Sequence, residues 1–260
     1  MSYREQFAQA SRAAEYERQQ WDGTSYPSLI WELERVWLDR YLASSPVPAA
    51  QMDYLDFACG TGRVLSYLEE RMRSARGIEI SAAMLDIARQ KVRHAELLCA
   101  DITATPEIEG RYDLITCFRF LLNAEPALRR QAMRGLAARL KDRDSRLLFD
   151  NHGNLSSYKA LRWPGSVLRR GQPVYESAGN VLSHSDVMSV LHDAGLEVIA
   201  RHGYGLLSGK APQLFGYDRV LELERRLAGA AGLERLGVHQ LYVCRLTLKQ
   251  RTRSALRQRS

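Results

Sequence analysis

The stretch DFACGTGRVL, residues 56–65, sets one aspartate and two glycines between apolar residues. The run leading into it, MDYLDFA, reads as a strand that ends in an acid and a turn. GRVLSYLEERM, which follows, carries Val64, Leu65, Leu68 and Met72 at helical spacing. A strand, a glycine loop and a helix in that order bring bare backbone close to a ligand. The dinucleotide fingerprint G-x-G-x-x-G/A is met only in part: Gly60 and Gly62 fill its first two positions, and Leu65 stands at the third. Asp56 argues further against a pyrophosphate, because a carboxylate at the strand end repels an anion and suits a cationic or hydrogen-bond-donating ligand.

Working outward, strands alternate with helices. ARGIEI reads as a second strand, and SAAMLDIARQKV as a helix capped by Ser81. AELLCA and YDLITCFRF are the third and fourth strands. EPALRRQAMRGLAARL is a helix with proline in its first turn, and SRLLFDN is the fifth strand. This alternation predicts a parallel sheet covered by helices on both faces, with right-handed crossovers. Beyond Asn151 the periodicity is lost until SHSDVMSVLHDAGLEVIARHGY, which reads as a capped helix, a glycine stop at Gly195 and a sixth strand. A helical insert follows over 214–235, and HQLYVCRLTL is the last strand. Two helices precede the core, from Tyr3 to Gln20 and from Pro27 to Leu42, with SSPVPAA as the linker. The organisation expected is an N-terminal helical lid over 1–45, a core domain over 50–248 with substrate-side inserts near 151–183 and 204–237, and a basic tail over 249–260.

Bulk properties narrow the class. A chain of 260 residues buries a sizeable core. No run approaches the roughly 18–20 apolar residues that cross a bilayer, and the N-terminus lacks the apolar centre of a secretion signal. A cytoplasmic protein is the expectation. The net charge of +7 comes largely from a tail bearing Lys249, Arg251, Arg253, Arg257 and Arg259. Elsewhere acids and bases are mixed, with no basic stripe interleaved with aromatics, so a dedicated nucleic-acid surface is not expected. Cys59, Cys99, Cys117 and Cys244 form no CxxC pair and fall in or beside the strand runs, which suits small buried hydrophobes in a reducing compartment and no metal site.

Two further acids continue the pattern of Asp56. Glu79 ends strand two, where a carboxylate suits the two hydroxyls of a ribose. Asp101 ends strand three, where it can accept from an adenine amino group. Ile80, Met84 and Ile102 supply apolar walls for a base. Open α/β sheets bind ligands at the carboxyl ends of their strands. With these residues in place, the chain resembles the class I S-adenosylmethionine-dependent methyltransferases. LDFACGTGR resembles the first motif of that family, with Ala58 where glycine is commonest. GIEIS resembles the second motif, CADI the adenine motif and YDLITC the fourth strand. The resemblance implies a Rossmann-like sheet of seven strands with the last antiparallel, and S-adenosylmethionine as cofactor. It places Asp56, Ala58, Gly60, Gly62, Glu79, Ile80, Met84, Asp101, Ile102, Cys117 and Phe118 about that cofactor.

For the chemistry, a hydroxyl acceptor must lose a proton. His152, directly after strand five in LLFDNHGN, is the first candidate base, with Asp150 and Asn151 as neighbours that orient it; His184 is the second. His94, His192, His202 and His239 read as structural. Arg119, Asn123 and Tyr26 are candidates to hold the acceptor, and the aromatics Tyr16, Trp21, Tyr26, Trp31 and Trp37 to exclude water over the cofactor. The expected activity is methyl transfer to a hydroxyl of a small molecule or a sugar or glycan. Other readings are N-methylation of an amine metabolite, RNA methylation using the basic tail, and a non-catalytic cofactor-binding protein. The amphipathic insert can complete the acceptor pocket, dimerise or lie on a membrane surface. The sequence leaves the oligomeric state open.

Overall fold

The computed structural model describes residues 23–101, 110–158, 181–228 and 232–248, together with Glu15, Glu17, Arg18 and Ala230. Most of the Tyr3–Gln20 helix, Tyr16, Trp21, Ile102, most of the 151–183 insert and the whole basic tail lie outside the described residues.

Helix α1 spans Tyr26–Ser44, with Pro27 in its first turn and Ser25 capping it by accepting from Ser28 N. Strand β1 (Asp53–Phe57) leads through the glycine loop into α2 (Arg63–Leu68). Next come β2 (Ser74–Glu79), α3 (Ala82–Ala88), β3 (Glu96–Cys99), β4 (Leu114–Cys117), α4 (Pro126–Ala137) and β5 (Arg146–Asn151). The C-terminal third holds α5 (His184–Ala194), β6 (Leu196–Tyr204), α6 (Ala211–Phe215), α7 (Tyr217–Ala228) and β7 (His239–Leu246). The helix expected over 214–235 is thus two helices hinged at Gly216. Ser81 caps α3 and Gly195 stops α5, as their positions in the sequence predict.

The strand order is β3-β2-β1-β4-β5-β7-β6. β1 to β5 are parallel, and β7 runs antiparallel to both β5 and β6. The order reverses between β1 and β4, so the crevice of the fold opens there, at the carboxyl ends of those strands. β4 and β5 are buried along their whole length, the expected pattern for central parallel strands covered on both faces. One face packs on α4 and α5 through Leu55, Ile115, Phe149 and Tyr242; the other packs on α1, α2 and α7 through Tyr54, Leu114, Leu148 and Leu241. Residue parity along a strand therefore tells which face each side chain serves.

Three cysteines are buried as expected, but Cys99 is exposed. It ends β3, the edge strand, where no neighbouring strand covers it. Among the described residues no helix is long and apolar enough to cross a membrane.

Candidate cofactor and transfer site

The carboxyl end of β1 carries the first part of the site. Asp56 is buried on the α1 side of the sheet. Its Oδ1 accepts from the Thr116 hydroxyl at 2.7 Å, while its Oδ2 is buried with no hydrogen-bond partner. Burial raises the Asp56 carboxyl to about 7, against the lowering effects of Thr116 and Arg63. After Asp56 the chain turns through left-handed backbone at Ala58 (φ 54°), Gly60 (φ 56°) and Gly62 (φ 80°). A non-glycine residue there costs about 1–2 kcal/mol through its Cβ, and such strain gathers at functional loops.

Glu79 closes the loop from the side. Its Oε2 accepts from Gly60 N at 3.1 Å, and its Oε1 from Ile80 N at 2.8 Å and Ser81 N at 2.9 Å. Burial pushes its carboxyl up, and these three N–H donors oppose the shift. Ala100 N donates to Glu79 O at 3.1 Å, which brings Asp101, half-buried, to the same edge. Met84 is buried beside the loop, its Sδ facing the open side of Gly60.

The acids at the opposite edge of the sheet behave differently. Asp53 and Asp113, at the amino ends of β1 and β4, share Lys141 at 2.6 and 2.5 Å. They are charge-compensated, whereas Asp56 keeps one oxygen unmatched. Among the described residues that buried oxygen at the carboxyl edge has no hydrogen-bond partner, which suits it to a ligand's donor.

The second part of the site lies across the strand-order reversal. Arg119, after β4, also has left-handed backbone (φ 59°). Its N–H donates to Asp150 Oδ1 at 2.5 Å. Its guanidinium lies 2.9 Å from Glu34 Oε1, 3.1 Å from His239 Nδ1 and 3.6 Å from Asp150 Oδ2. Glu34, Asp150 and His239 each bring a ligand-type atom within 4.8 Å of the others, the spacing of a metal site. The cation in that cage is the Arg119 guanidinium. Since a guanidinium only donates, His239 Nδ1 accepts and its ring proton sits on Nε2. Tyr204 donates to Glu34 Oε1 at 3.3 Å, and its ring stacks on His239 at 5.5 Å. His152 Nδ1 stands 3.4 Å from Asp150 Oδ2. Burial alone would raise the Asp150 carboxyl, but Arg119 and His152 prevail and hold it down at about 2.

The structure places the residues singled out in the sequence as follows. Arg119 is engaged by Glu34, Asp150 and His239, and Asn123 Nδ2 donates to Arg119 O at 2.6 Å; both build the post-β4 turn. Cys117 is fully buried in the α4–α5 core, and Phe118 packs on the α1 side, so neither side chain stands free at the crevice. His184 lies across the sheet: its Nδ1 is 3.0 Å from the hydroxyl of Tyr242, a residue of the α4–α5 face, whereas Asp150 and His239 share parity with Leu148 and Leu241 on the other. His239, read as structural, lies in the Arg119 cluster with Glu34 and Asp150. Tyr26 lies beside it, its ring 6.2 Å from that of His239. Glu34 was missed altogether, although a glutamate among Leu29, Ile30, Leu33 and Leu38 on an apolar helix stripe is a signal of a buried, partnered acid.

A seven-stranded sheet of this order, with an acid and a glycine loop at the switch point, defines a Rossmann-like, nucleoside-binding class of protein. Residues 55–143 match a family described as a methyltransferase domain. YqeM of Bacillus subtilis, named as a methyltransferase, is 29% identical over 147 residues, 54% of this chain; the match spans 57% of YqeM. Two solved structures share the fold. Magnesium protoporphyrin IX methyltransferase (ChlM) from Synechocystis, with bound SAH, gives a TM-score of 0.65 at 14% identity over 94% of this chain and 98% of that one. The N-methyltransferase NodS from Bradyrhizobium japonicum gives 0.52 at 15% identity over 84% and 97%. Residues 55–143 thus match a methyltransferase domain, and the sheet as a whole has the Rossmann-like fold of these S-adenosylmethionine-dependent methyltransferases. The residues present fit that cofactor on two counts: Asp56 Oδ2, without a hydrogen-bond partner among the described residues, can take a donor, and the bare left-handed backbone of Gly60 and Gly62 allows a close approach to the loop.

Proposed function

We propose that this protein transfers a methyl group from S-adenosylmethionine to a hydroxyl oxygen of a small-molecule or sugar acceptor, with His152 as the general base. Asp56, Glu79 and Asp101 are the acids that hold the cofactor, with Ala58, Gly60, Gly62, Ile80, Met84 and Ile102 around them. When bound, the sulfonium supplies a methyl group already activated for displacement. What remains for the chain is to align the acceptor oxygen and take its proton. Alignment is worth about 7–11 kcal/mol.

The observation that carries the reading is the Asp150–His152 pair after β5. His152 turns Nδ1 toward a carboxylate that stays ionised. His152 would take the proton of the acceptor hydroxyl, and Asp150 would stabilise the imidazolium. The two groups stand 3.4 Å apart, and catalytic hydrogen bonds of this kind tighten around substrate. The substrate-side inserts near 151–183 and 204–237 are where acceptor specificity resides in this reading. No nucleic-acid partner is required by this reading.

The test is S-adenosylhomocysteine release across pools of hydroxylated metabolites, sugars and amines, for wild type and His152→Gln. Turnover on a hydroxyl acceptor that depends on His152 supports the proposal. Turnover confined to amines and indifferent to His152 means N-methylation, since an amine presents its own lone pair.

A further inference from the structure

The strand-order reversal separates two arginines. Arg63 is the first residue of α2, directly after the glycine loop of β1; Arg119 follows β4. They stand on opposite sides of the switch-point crevice, yet one carboxylate joins them. Glu34 Oε2 accepts from Arg63 Nη1 at 2.5 Å, and Glu34 Oε1 from Arg119 Nη2 at 2.9 Å. Glu34 is fully buried and comes from α1, outside the sheet and its crossovers. Trp31, one turn earlier on α1, receives the Arg63 guanidinium on its ring at 4.7 Å. The helix therefore grips the cofactor-loop side through Trp31 and Glu34, and the transfer side through Glu34 and, against His239, Tyr26.

We propose that Glu34 is a positioning residue that couples cofactor binding to the docking of α1, by spanning the crevice between Arg63 and Arg119. The inference rests on the switch-point crevice being the cofactor site, but not on the identity of the acceptor. Its physical basis is the fixed geometry of the bridge. A carboxylate with one arginine on each oxygen bridges both guanidiniums at once, and charge-assisted hydrogen bonds of this kind are short and strong. Glu34 faces both arginines and Asp150 faces Arg119, so undocking the helix takes a buried carboxylate from both guanidiniums at once. Any ligand that fixes the glycine loop fixes Arg63, and with it the near end of the bridge. By linkage, whatever α1 gains in order when the ligand binds, the ligand gains in affinity when α1 is docked.

The experiment uses the full chain and S-adenosylhomocysteine as the probe. Titration calorimetry on Glu34→Gln, which keeps the shape and removes the charge, should show affinity weakened about 5- to 10-fold, within the usual range of coupling. Leu33→Val, which loosens the same helix without touching the bridge, should leave affinity within about twofold while lowering Tm. Equal weakening by both variants, or none by Glu34→Gln, overturns the proposal. Should Glu34→Gln fail to fold, hydrogen exchange on the wild type decides. Saturating S-adenosylhomocysteine should slow exchange at the amides of Leu29–Leu38 as well as in the glycine loop. Protection confined to the loop overturns the coupling, and no binding to wild type overturns the cofactor site on which it rests.

Discussion

Asp56 and Thr116 are register partners on β1 and β4, and the Thr116 hydroxyl donates to one carboxylate oxygen of Asp56 at 2.7 Å while the other oxygen has no hydrogen-bond partner. This half-satisfied acid sits at the point where the sheet opens. Burial raises it to about 7, with Thr116 and Arg63 opposing and Glu79 adding to the rise. An acid raised in the folded state binds an extra proton between its unfolded value, near 4, and about 7. Its contribution to stability is fully present below about pH 4 and is lost as pH rises through 7. A donor-bearing cofactor reverses that preference, because it favours the carboxylate. S-adenosylhomocysteine should therefore bind more tightly as pH rises from about 6 to 8, with proton release visible as a dependence of calorimetric heat on buffer. Asp56→Asn should abolish both the proton release and the matching pH slope of Tm, and weaken binding about tenfold or more at the upper pH. Superimposable profiles for wild type and variant would remove Asp56 from the cofactor site.

His152→Gln should lower turnover by about 10²–10⁴ on a hydroxyl acceptor while leaving S-adenosylhomocysteine affinity within about twofold. Asp150→Asn should act on turnover and on stability together. Asp150 is held down at about 2, so its contribution to stability is present above about pH 4 and disappears as pH falls toward 2. Removing its charge leaves Arg119 short of one buried partner, which costs about 3–5 kcal/mol. Thermal unfolding at neutral pH, with turnover below the transition, separates the two effects. A variant as stable as wild type would mean that Arg119 does not depend on Asp150.

Ala58 stands at φ 54°, where its Cβ costs about 1–2 kcal/mol. Glycine would relieve that strain but loses about 0.5–1 kcal/mol more chain entropy on folding. The difference favours Ala58→Gly by roughly 0.5–1 kcal/mol, a rise in Tm of a few degrees at most. Cofactor affinity should not fall. A drop in Tm on calorimetry would show that the alanine methyl makes contacts worth more than its strain.

The ends of β1 and β2 were legible because an acid closes each apolar run, Asp56 in the one and Glu79 in the other, and a glycine loop follows the first. Ser81 and Gly195 were legible for the same reason, since caps are local chemistry. What the sequence hid was which groups meet across long intervals. Glu34 and Arg119 are 85 residues apart and belong to different layers. His239 opens the last strand, and only the antiparallel insertion of β7 beside β5 carries it to Asp150. His184 misled because its place before α5 puts it near the carboxyl edge but says nothing of which face it serves. Cys99 misled because burial was inferred for strands in general, and β3 is an edge.

Gly60 and Gly62 share a left-handed backbone but face different neighbours, which makes them a paired test of what the loop is for. A Cβ on Gly62 would meet Ala88 Cβ and Val92 Cγ2 at 3.1 Å, atoms of α3 and its exit. Gly62→Ala should thus cost strain plus a shift of α3, about 2–4 kcal/mol together, and appear chiefly as a lower Tm. A Cβ on Gly60 would meet only Met84 Sδ, at 3.6 Å. Gly60→Ala should cost little beyond the strain itself, about 1–2 kcal/mol, yet its methyl would enter the space above the loop. Its larger effect should fall on S-adenosylhomocysteine affinity, reduced at least about tenfold at a temperature where the variant is fully folded. Tm and calorimetric affinity measured on both variants give the comparison. If Gly60→Ala binds as wild type does, the open side of that glycine faces something other than the cofactor.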